Sequence, residues 1–357
     1  MARVQSAVVI RYSGSVWLLG ALLGAGCQGS APPRSMTSPP CGGAGSICTW
    51  AGTGDPAFIE DGAAARETAL YYPLDVEFAP GPGGLGYILD WQNHRVRMVG
   101  ADGLVKTVIG TDEIGDGPGA GSGLDELDAP GVPGTKVNLN HPTDIQFTPD
   151  GETMFLAAWH NHKIRKYDVA SQLLQVTCGR GPGFAGDGGP ASTALMNQPK
   201  GIVLDGAGDL LVVDTRNFRV RRIAAETGQI DTVAGIGMRG SAGDGAAPLE
   251  AQFSFQQGLD VNGGDGGDNP EPGGAIAMDG QGRLYIADTE NHRIRVVDLK
   301  TGIIDTVVGN GTAGYGGDGG PARDAALHRP WGIAFDGAGD LFVADTFNNR
   351  IRRVVQP

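Results

Sequence analysis

The chain has 357 residues, of which 61 are glycine and 6% are aromatic. The glycines follow no three-residue period, which excludes a collagen-like helix, and 40% hydrophobic residues exclude a wholly disordered chain. The 27 basic and 40 acidic side chains give a net charge of −13, which argues against a nucleic-acid partner because phosphate backbones repel an acidic surface.

Residues 1–26 are predicted to be an export signal. They contain two arginines and no acidic residue, and their apolar run at 16–23 is shorter than the about 20 residues that span a bilayer. The run ends in Leu-Leu-Gly-Ala-Gly-Cys at 22–27, which resembles the lipobox of bacterial lipoproteins, where the cysteine is acylated and becomes the new N-terminus. Leu23 lies four residues before Cys27, whereas that family usually has its large aliphatic residue three before. The alternative is an ordinary signal peptide that is cleaved nearby.

Residues 27–45 are predicted to hold the lipidated cysteine and a flexible tether, because they are rich in Gly, Ser, Pro and Ala. Removal of the signal leaves 25 basic against 40 acidic side chains, a net charge of −15. Export permits a disulfide, and Cys41 with Cys48 would close a small loop. Cys178 is predicted to be a buried free thiol, and the lack of a CxxC pair argues against a zinc site.

The remaining chain, residues 46–357, repeats one unit five times. Each copy has the pattern Asp-x-x-Asn-x-basic-aliphatic-Arg, and an Asp-Gly pair precedes each copy. The copies lie at 90–97, 158–165, 214–221, 288–295 and 345–352, with alanine in place of the first aspartate at 158. Units two and four carry insertions near 118–135 and 258–272.

Each unit is predicted to form four short strands. In the third unit they lie at 201–204, 209–213, 219–223 and 230–234, with turn residues between them. Strands that are apolar at nearly every position are typical of a blade packed between two others, so the sequence predicts an all-β protein, a β-propeller with five four-stranded blades. The domain begins with a fourth strand at 47–51 and ends with a third near 351–355. Pairing of these two strands would complete blade five and close the ring.

The runs at 305–322 and 284–295 resemble NHL repeats, a family named for its Asn-His-Leu triplet. Here Asn-His occurs in copies one, two and four and is followed by Arg or Lys. The resemblance covers about residues 46–357 and implies the propeller fold. It leaves the function open, because such propellers serve as binding modules, scaffolds and enzymes. Many members of the family have six blades, and RNA binding by its cytoplasmic members conflicts with export and the acidic charge.

The repeated residues are expected to be structural, because the unit itself requires them. The aspartates that open the motif should bond turn backbone or a neighbouring arginine, and the paired basic residues recur in the same way. His94, His162 and His292 occupy a position that is filled by Phe218 and Asn349 in the other copies, so this position does not require a metal ligand.

Two variable residues follow each second strand, and these turns share one face of a propeller. The predicted ligand-binding residues are Trp91, Gln92, Trp159, His160, Arg216 and Phe347. Aromatic residues beside Gly-rich loops suit a peptide, protein or glycan ligand. Trp91 and Trp159 could instead pack beneath the insertions. Blades one, two and five are consecutive in a five-membered ring, so we expect the binding site in that sector.

Alternate side chains of each first strand should face the propeller axis, and in blades one and two some of these side chains are acidic. Asp75, Glu77 and Asp144 are the predicted metal ligands, since carboxylates suit a hard cation such as calcium. Alternatively, they face channel water. The oxygen-rich insertion at 260–271 lacks the twelve-residue calcium-loop spacing and is expected to be a polar surface loop.

The sequence therefore predicts an exported, lipid-anchored binding or scaffold module of the bacterial cell envelope, with a secreted protein as the alternative. We expect a monomer. The alternative function is a propeller enzyme, a metal-dependent lyase or hydrolase with an axial carboxylate site. No Gly-x-Ser-x-Gly motif occurs. Of the unrepeated histidines, His141 and His328 lie just before first strands and His160 lies in a turn, which is a poor match to the several axial histidines of an amidating-type lyase, so we favour a binding module over an enzyme and leave catalysis open.

Overall fold

The computed structural model of the protein describes residues 49–81, 84–256 and 273–357. The predicted signal, the tether, the predicted lipidation site Cys27 and the predicted Cys41–Cys48 disulfide lie outside these residues. The second insertion, 258–272, lies outside them as well. Regular structure in the described residues consists of β-strands and 3-10 helices of three residues each. None of these helices has the length and apolar character needed to cross a bilayer.

The strands form antiparallel sheets that follow one another along the chain. Blade 1 contains β1 (Pro73–Phe78), β2 (Gly86–Asp90), β3 (Arg95–Val99) and β4 (Val105–Ile109). The link to blade 2 carries three two-residue strands, β5 (Gly117–Pro118), β6 (Val132–Pro133) and β7 (Val137–Asn138). Blade 2 contains β8 (Pro142–Phe147), β9 (Thr153–Ala158), β10 (Lys163–Asp168) and β11 (Leu173–Cys178).

The next three blades repeat this arrangement. The two-residue β12 (Gly189–Pro190) precedes blade 3, which contains β13 (Pro199–Leu204), β14 (Leu210–Asp214), β15 (Arg219–Ile223) and β16 (Gln229–Ala234). Blade 4 contains β17 (Ile276–Met278), β18 (Arg283–Asp288), β19 (Arg293–Asp298) and β20 (Ile303–Val308). Blade 5 contains β21 (Pro330–Phe335), β22 (Leu341–Asp345) and β23 (Arg350–Val354). The predicted all-β propeller with five blades is confirmed.

The ends of the strands define two faces of the propeller. A 3-10 helix follows every second strand, and we call the face with these turns the loop face: Trp91–Asn93, Trp159–Asn161, Thr215–Asn217, Thr289–Asn291 and Thr346–Asn348. The turns that join first to second strands and third to fourth strands lie at the other end, on the far face. Five more 3-10 helices lie in the links that lead into the first strands: Ala65–Glu67, Gly134–Lys136, Ala191–Thr193, Pro248–Glu250 and Ala322–Asp324.

The hydrophobic core lies between consecutive blades. Leu89 of blade 1 packs in one cluster with Ile145 and Leu156 of blade 2, and similar clusters join blades 2 to 3, 3 to 4 and 4 to 5. Every residue of β2 and β14 is buried, as predicted from their continuous apolar runs. Full burial of such an aliphatic side chain stabilises the fold by about 1.5–3 kcal/mol, so the blades support one another.

A glycine follows each fourth strand because no other residue would fit there. Gly110, Gly179, Gly235 and Gly309 have φ values of 111°, 94°, 97° and 92°. A Cβ on these residues would lie 2.5, 2.1, 2.3 and 2.4 Å, respectively, from the carbonyl oxygen of the residue that ends the loop-face turn. This close approach joins the third and fourth strands of each blade at the loop face.

The repeated polar residues have the structural role that we expected. In blade 3 the fully buried Arg221 lies 2.6 Å from Asp187 of the Asp-Gly pair and 3.4 Å from Asp214 at the end of β14. Asp214 also accepts a hydrogen bond of 2.7 Å from the backbone N–H of Asn197, in the link before β13. The equivalent aspartates accept the same kind of backbone bond: Asp90, Asp288 and Asp345. In blades 1, 3, 4 and 5 the network thus fixes the loop-face turn to the link before the first strand of the same blade.

Blade 5 differs from the others in the residues that the structure describes. Its β23 pairs with β22 alone, and residues 49–51, the described part of the predicted closing strand 47–51, form no strand. Ile351 in β23 is 68% exposed, whereas its equivalents in the other blades are fully buried: Val96, Ile164, Val220 and Ile294. Phe78 in β1 is also 54% exposed. A fourth strand of blade 5 is therefore not among the described elements, and ring closure through residues 47–51 stays a prediction.

Candidate binding face and axial cluster

The repeated histidines connect neighbouring blades at the loop face. The imidazole Nδ1 of His94 accepts a hydrogen bond of 3.1 Å from the backbone N–H of His141, in the link into blade 2. His162 and His292 accept the equivalent bonds from Gln198 and Arg329, at 3.1 and 3.2 Å. Burial lowers the pKa of all three imidazoles, and that of His94 to about 4, so they are neutral acceptors at pH 7. The sequence analysis did not reveal these inter-blade bonds.

The two loop-face tryptophans have different environments. Trp159 is fully buried and stacks on His160, with ring centroids 3.9 Å apart. Trp91 is half-buried, and its ring lies 4.9 Å from that of His141. The expectation that Trp159 lines an exposed binding surface is therefore wrong, because its side chain is fully buried. The alternative of inward packing holds for Trp159, while Trp91 packs against the core between blades 1 and 2 and stays partly exposed.

His160, a predicted site residue, forms a pair with His141, which the sequence analysis did not assign to the site. Their Nδ1 atoms lie 3.1 Å apart, and His141 Nδ1 also lies 2.8 Å from Asn140 Oδ1. Burial, with the neighbouring His141, lowers the pKa of His160 to about 4, and burial also lowers the pKa of His141. Both rings are neutral at pH 7, so they offer hydrogen-bonding groups and aromatic edges without charge. The position of His141 directly before a first strand was the available signal.

Phe347 presents an aromatic surface on the blade 5 side of the loop face. Its side chain is 42% exposed, and the Arg329 guanidinium lies 4.4 Å from its ring centroid. Arg329 is held in place by Glu290 of blade 4, at 2.7 Å. The ring of Trp331 lies 5.9 Å from that of Phe347. Phe347 thus has the exposure and the fixed surroundings that a ligand contact requires.

The other two predicted residues, Gln92 and Arg216, also lie on the loop face. Their backbone N–H groups bond the carbonyls of Tyr71 and Asn197, at 3.0 Å each, which fixes both turns to the links before the first strands. Both side chains are half-buried. Arg216 is close enough to His160 that its positive charge contributes to the low pKa of that imidazole.

Several buried polar atoms on the loop side have no hydrogen-bond partner. They include Nε1 of Trp91 and of Trp331 and Oε1 of Gln198. Gln198 is 7% exposed and lies two residues before Lys200, whose ammonium donates a hydrogen bond of 3.3 Å to the backbone carbonyl of Trp331. Buried donors and acceptors without partners are rare in folded proteins, and a water or a ligand group could pair with these atoms. Sequence reasoning missed Gln198 and Trp331 because neither lies in a loop-face turn.

The predicted metal ligands connect first strands to one another. Asp75 accepts a hydrogen bond of 3.3 Å from the backbone N–H of Ile145, and Asp144 accepts one of 2.8 Å from Ile202. Glu77 accepts a bond of 3.1 Å from the side-chain amide of Gln146. Blade 3 has Gly201 instead, where a Cβ would lie 2.6 Å from the Gly274 carbonyl oxygen. There the strands approach too closely for a carboxylate.

Lys200 supplies the positive charge of this axial cluster. Burial raises the pKa of Asp75 and Glu77 and raises that of Asp144 well above its usual range, while the Lys200 ammonium lowers the pKa of both aspartates. Burial lowers the pKa of Lys200 itself. Within residues 49–81, 84–256 and 273–357, no three or more His, Cys, Asp and Glu side chains are grouped to hold a metal ion. The carboxylates of Asp75 and Asp144 do not fit a calcium site, because they already interact with the Lys200 ammonium and accept hydrogen bonds from backbone N–H groups. Calcium binding at this cluster stays a prediction, which a binding measurement would test.

Cys178 is a buried free thiol, as predicted. Burial raises its pKa to about 12. A thiol in this state is a poor nucleophile, so this residue is not a catalytic candidate.

Comparison with known families identifies the repeated unit. The profile of the NHL repeat matches residues 196–223, 274–297 and 327–353, in blades 3, 4 and 5. Blades 3, 4 and 5 thus each contain an NHL repeat. Each matched segment includes a loop-face turn, and the bond from Arg329 to His292 joins two of these segments.

Relatives of this NHL propeller occur in plants and animals. It is 29% identical over 278 residues to Protein SUPPRESSOR OF QUENCHING 1, chloroplastic, of Arabidopsis thaliana, with 75% of this chain and 23% of that protein covered. It is 28% identical over 292 residues to NHL repeat-containing protein 2 of Bos taurus, with 74% of this chain and 37% of that protein covered. The match thus covers 23% of the length of the plant protein and 37% of the length of the bovine protein.

Solved structures with a similar chain path include virginiamycin B lyase from Staphylococcus aureus and a chain of a nidogen/laminin complex. The lyase is 13% identical, with a TM-score of 0.46, and the match covers 79% of this chain and 66% of the lyase. The nidogen/laminin chain is 13% identical, with a TM-score of 0.48 and coverage of 80% and 76%.

Proposed function

We propose that this NHL propeller is a binding module that holds a peptide segment of a protein partner on its loop face. The observation that carries the proposal is the exposed ring of Phe347 on the loop face, 5.9 Å from the ring of Trp331, whose buried indole N–H has no partner. The indole N–H groups of Trp91 and Trp331 and the side-chain oxygen of Gln198 are buried and lack partners on the same face, and Phe347 presents an exposed ring. A peptide backbone presents one donor and one acceptor per residue, which matches this mixture.

We further propose that the module acts in the bacterial cell envelope. The basic start, the short apolar run and Cys27 support export followed by acylation of Cys27. Acyl chains contribute about 0.8 kcal/mol per buried methylene, and dual acylation provides stable anchoring. The acidic character of the mature chain favours a partner whose contact surface is neutral or basic.

The proposal is tested with the purified full-length protein, a library of random peptides and a glycan array. Binding to peptides and not to glycans is expected. For a selected peptide, Trp91→Ala should weaken binding by about 2 kcal/mol, roughly thirtyfold. Phe78→Ala is the control, since Phe78 is an exposed aromatic residue at the far-face end of β1, and it should leave the affinity unchanged.

Two outcomes would count against a peptide site on the loop face. Selective glycan binding would replace the ligand class. Unchanged peptide affinity in both Trp91→Ala and Phe347→Ala proteins would move the site to another surface.

A further inference from the structure

The loop-face turn of blade 2 and the link before that blade bring three polar side-chain atoms together. Nδ1 of His141 lies 3.1 Å from Nδ1 of His160 and 2.8 Å from Oδ1 of Asn140. All three residues are half-buried. The cluster is therefore neither sealed in the core nor fully hydrated, and a small ion can reach it from the solvent.

A shared proton does not account for both short contacts of His141. An imidazole nitrogen carries either one proton or one lone pair, so Nδ1 of His141 pairs fully with only one of its two neighbours. Turning the Asn140 amide over, so that it presents its nitrogen, leaves the same mismatch of one group facing two. A metal ion is different, because it accepts a lone pair from each of the three atoms.

The spacing of these atoms fits ligands that are bound to one transition-metal ion. With metal–ligand bonds of about 2.1 Å, atoms that lie 3.1 Å and 2.8 Å apart subtend about 95° and about 85° at the metal. Angles near a right angle between nitrogen and oxygen ligands are typical of the tetragonal sites that copper(II) and nickel(II) prefer. Of the divalent first-row metals, copper(II) binds such ligands most tightly.

The protein holds both imidazoles in place before any ion is bound. The ring of His160 stacks on the fully buried Trp159, with ring centroids 3.9 Å apart. The backbone N–H of His141 donates a hydrogen bond of 3.1 Å to Nδ1 of His94, which fixes the link beside the turn. Groups that are fixed in advance lose little freedom when they bind a ligand.

The repeat itself does not require this pair of histidines. The backbone at position 141 has a positive φ, as it does at the equivalent positions in blades 1 and 3. Other residues replace the two histidines in those blades, namely Tyr72 and Gln92 in blade 1 and Gln198 and Arg216 in blade 3. The same local structure thus forms without either imidazole, so the fold alone does not explain the pair.

We propose that Asn140, His141 and His160 form a binding site for a divalent transition-metal ion, with copper(II) as the preferred ion. The two imidazole nitrogens and the amide oxygen are the protein ligands, and water completes the coordination. The third ligand is an amide oxygen, so the site is not a cluster of His, Cys, Asp and Glu alone. The proposal does not depend on peptide binding, and each is tested without the other.

The test titrates copper(II) chloride into the full-length protein, with Cys27, Cys41 and Cys48 replaced by serine so that these thiols do not compete for the metal. Calorimetry should show one bound equivalent, and electron paramagnetic resonance should show coupling of the copper to imidazole nitrogens. His141→Gln and His160→Gln should each weaken binding more than about tenfold. Glutamine already fills the equivalent positions in blades 3 and 1, so both variants should fold.

His328→Ala is the matched control. His328 lies in the equivalent link of blade 5, where its backbone carbonyl accepts a hydrogen bond from Phe347 in the loop-face turn, and its loss should leave copper binding unchanged. Thermal melting followed by circular dichroism confirms that each variant is folded. The proposal would be overturned by the absence of a bound equivalent, by copper without imidazole coupling, or by equal affinity in both glutamine variants. A loss in His328→Ala as large as theirs would overturn it as well.

Discussion

Glu126 forms a bidentate ion pair with the buried guanidinium of Arg165, with Oε2 2.9 Å from Nε and Oε1 2.9 Å from Nη2. In the other blades an aspartate at the end of the second strand lies beside this arginine, but blade 2 has Ala158 there. Glu126 belongs to the first insertion and is 4% exposed. The insertion thus supplies the negative charge that the second strand of blade 2 lacks.

Removal of this carboxylate should destabilise the propeller. Glu126→Ala leaves Arg165 buried with less compensating charge, and the loss of one partner from a buried pair costs about 3–5 kcal/mol. Because Asp116 still lies 2.8 Å from Arg165, we expect the free energy of unfolding to decrease by about 3 kcal/mol, as measured by urea denaturation. The second substitution Ala158→Asp should restore most of the lost stability. Asp128 is an exposed residue in the same insertion, so Asp128→Ala is the control and should have little effect on stability. No loss in Glu126→Ala would contradict this role.

Acid should weaken the bonds between blades. The pKa of His94 is about 4 in the folded state, against about 6.5 when unfolded, and the pKa values of His162 and His292 are also lowered. As the pH falls from about 6.5 to 4, the imidazoles take up protons in the unfolded chain before they do so in the folded protein. The free energy of unfolding of the protein therefore decreases over this pH range. Replacing all three with Asn, the residue at position 349, keeps an acceptor and removes the titration.

The informative measurement is the difference in free energy of unfolding between the wild type and this triple Asn variant as a function of pH. The buried aspartates titrate in both proteins and cancel in the difference. A difference that grows in favour of the variant below pH 6.5 is expected. A difference that does not vary with pH would show that the imidazoles do not contribute to acid sensitivity.

Ring closure predicts a specific contact between Ala51 and Ile351. In blades 1, 3 and 4 the equivalent pairs are Val96 with Ile109, Val220 with Ala234 and Ile294 with Val308. Cysteines at 51 and 351, in a Cys41→Ser, Cys48→Ser background, should form a disulfide on oxidation, seen as a mobility shift. Cysteines at 50 and 351 are the control, because a one-residue step turns the side chain to the other face of the strand. Equal crosslinking of both pairs, or of neither, would contradict closure in this register.

The axial cluster should depend on Lys200 and not on calcium. Lys200→Met leaves the Asp75 and Asp144 carboxylates without their positive neighbour and should lower the melting temperature by several degrees. A second change, Asp144→Asn, should recover part of that loss by removing one of the two charges. Millimolar calcium should leave the wild-type melting temperature unchanged. A calcium-dependent increase would restore the metal-site hypothesis, because a ligand that binds the folded state stabilises it.

Part of the candidate site was predictable because turns follow local rules. The loop-face turns and their variable residues could be read from the repeat, and Trp91 and Phe347 have partly accessible side chains there. Burial of Trp159 was not predictable, since it depends on neighbours that are distant in the chain. Gln198 and Trp331 were missed because their positions in the links and first strands are also filled by structural residues.

By itself, the sequence determined the five repeats, the strand boundaries to within a few residues, and the structural role of the repeated Asp, Asn and Arg. These features depend on alternating burial and turn chemistry, which act over a few residues. Only the tertiary structure decided that Glu126 replaces an aspartate, that histidines bond the next blade, and that Lys200 contacts Trp331. Lys200 and Trp331 are 131 residues apart, and their contact exists because the first strands of all blades gather around one axis.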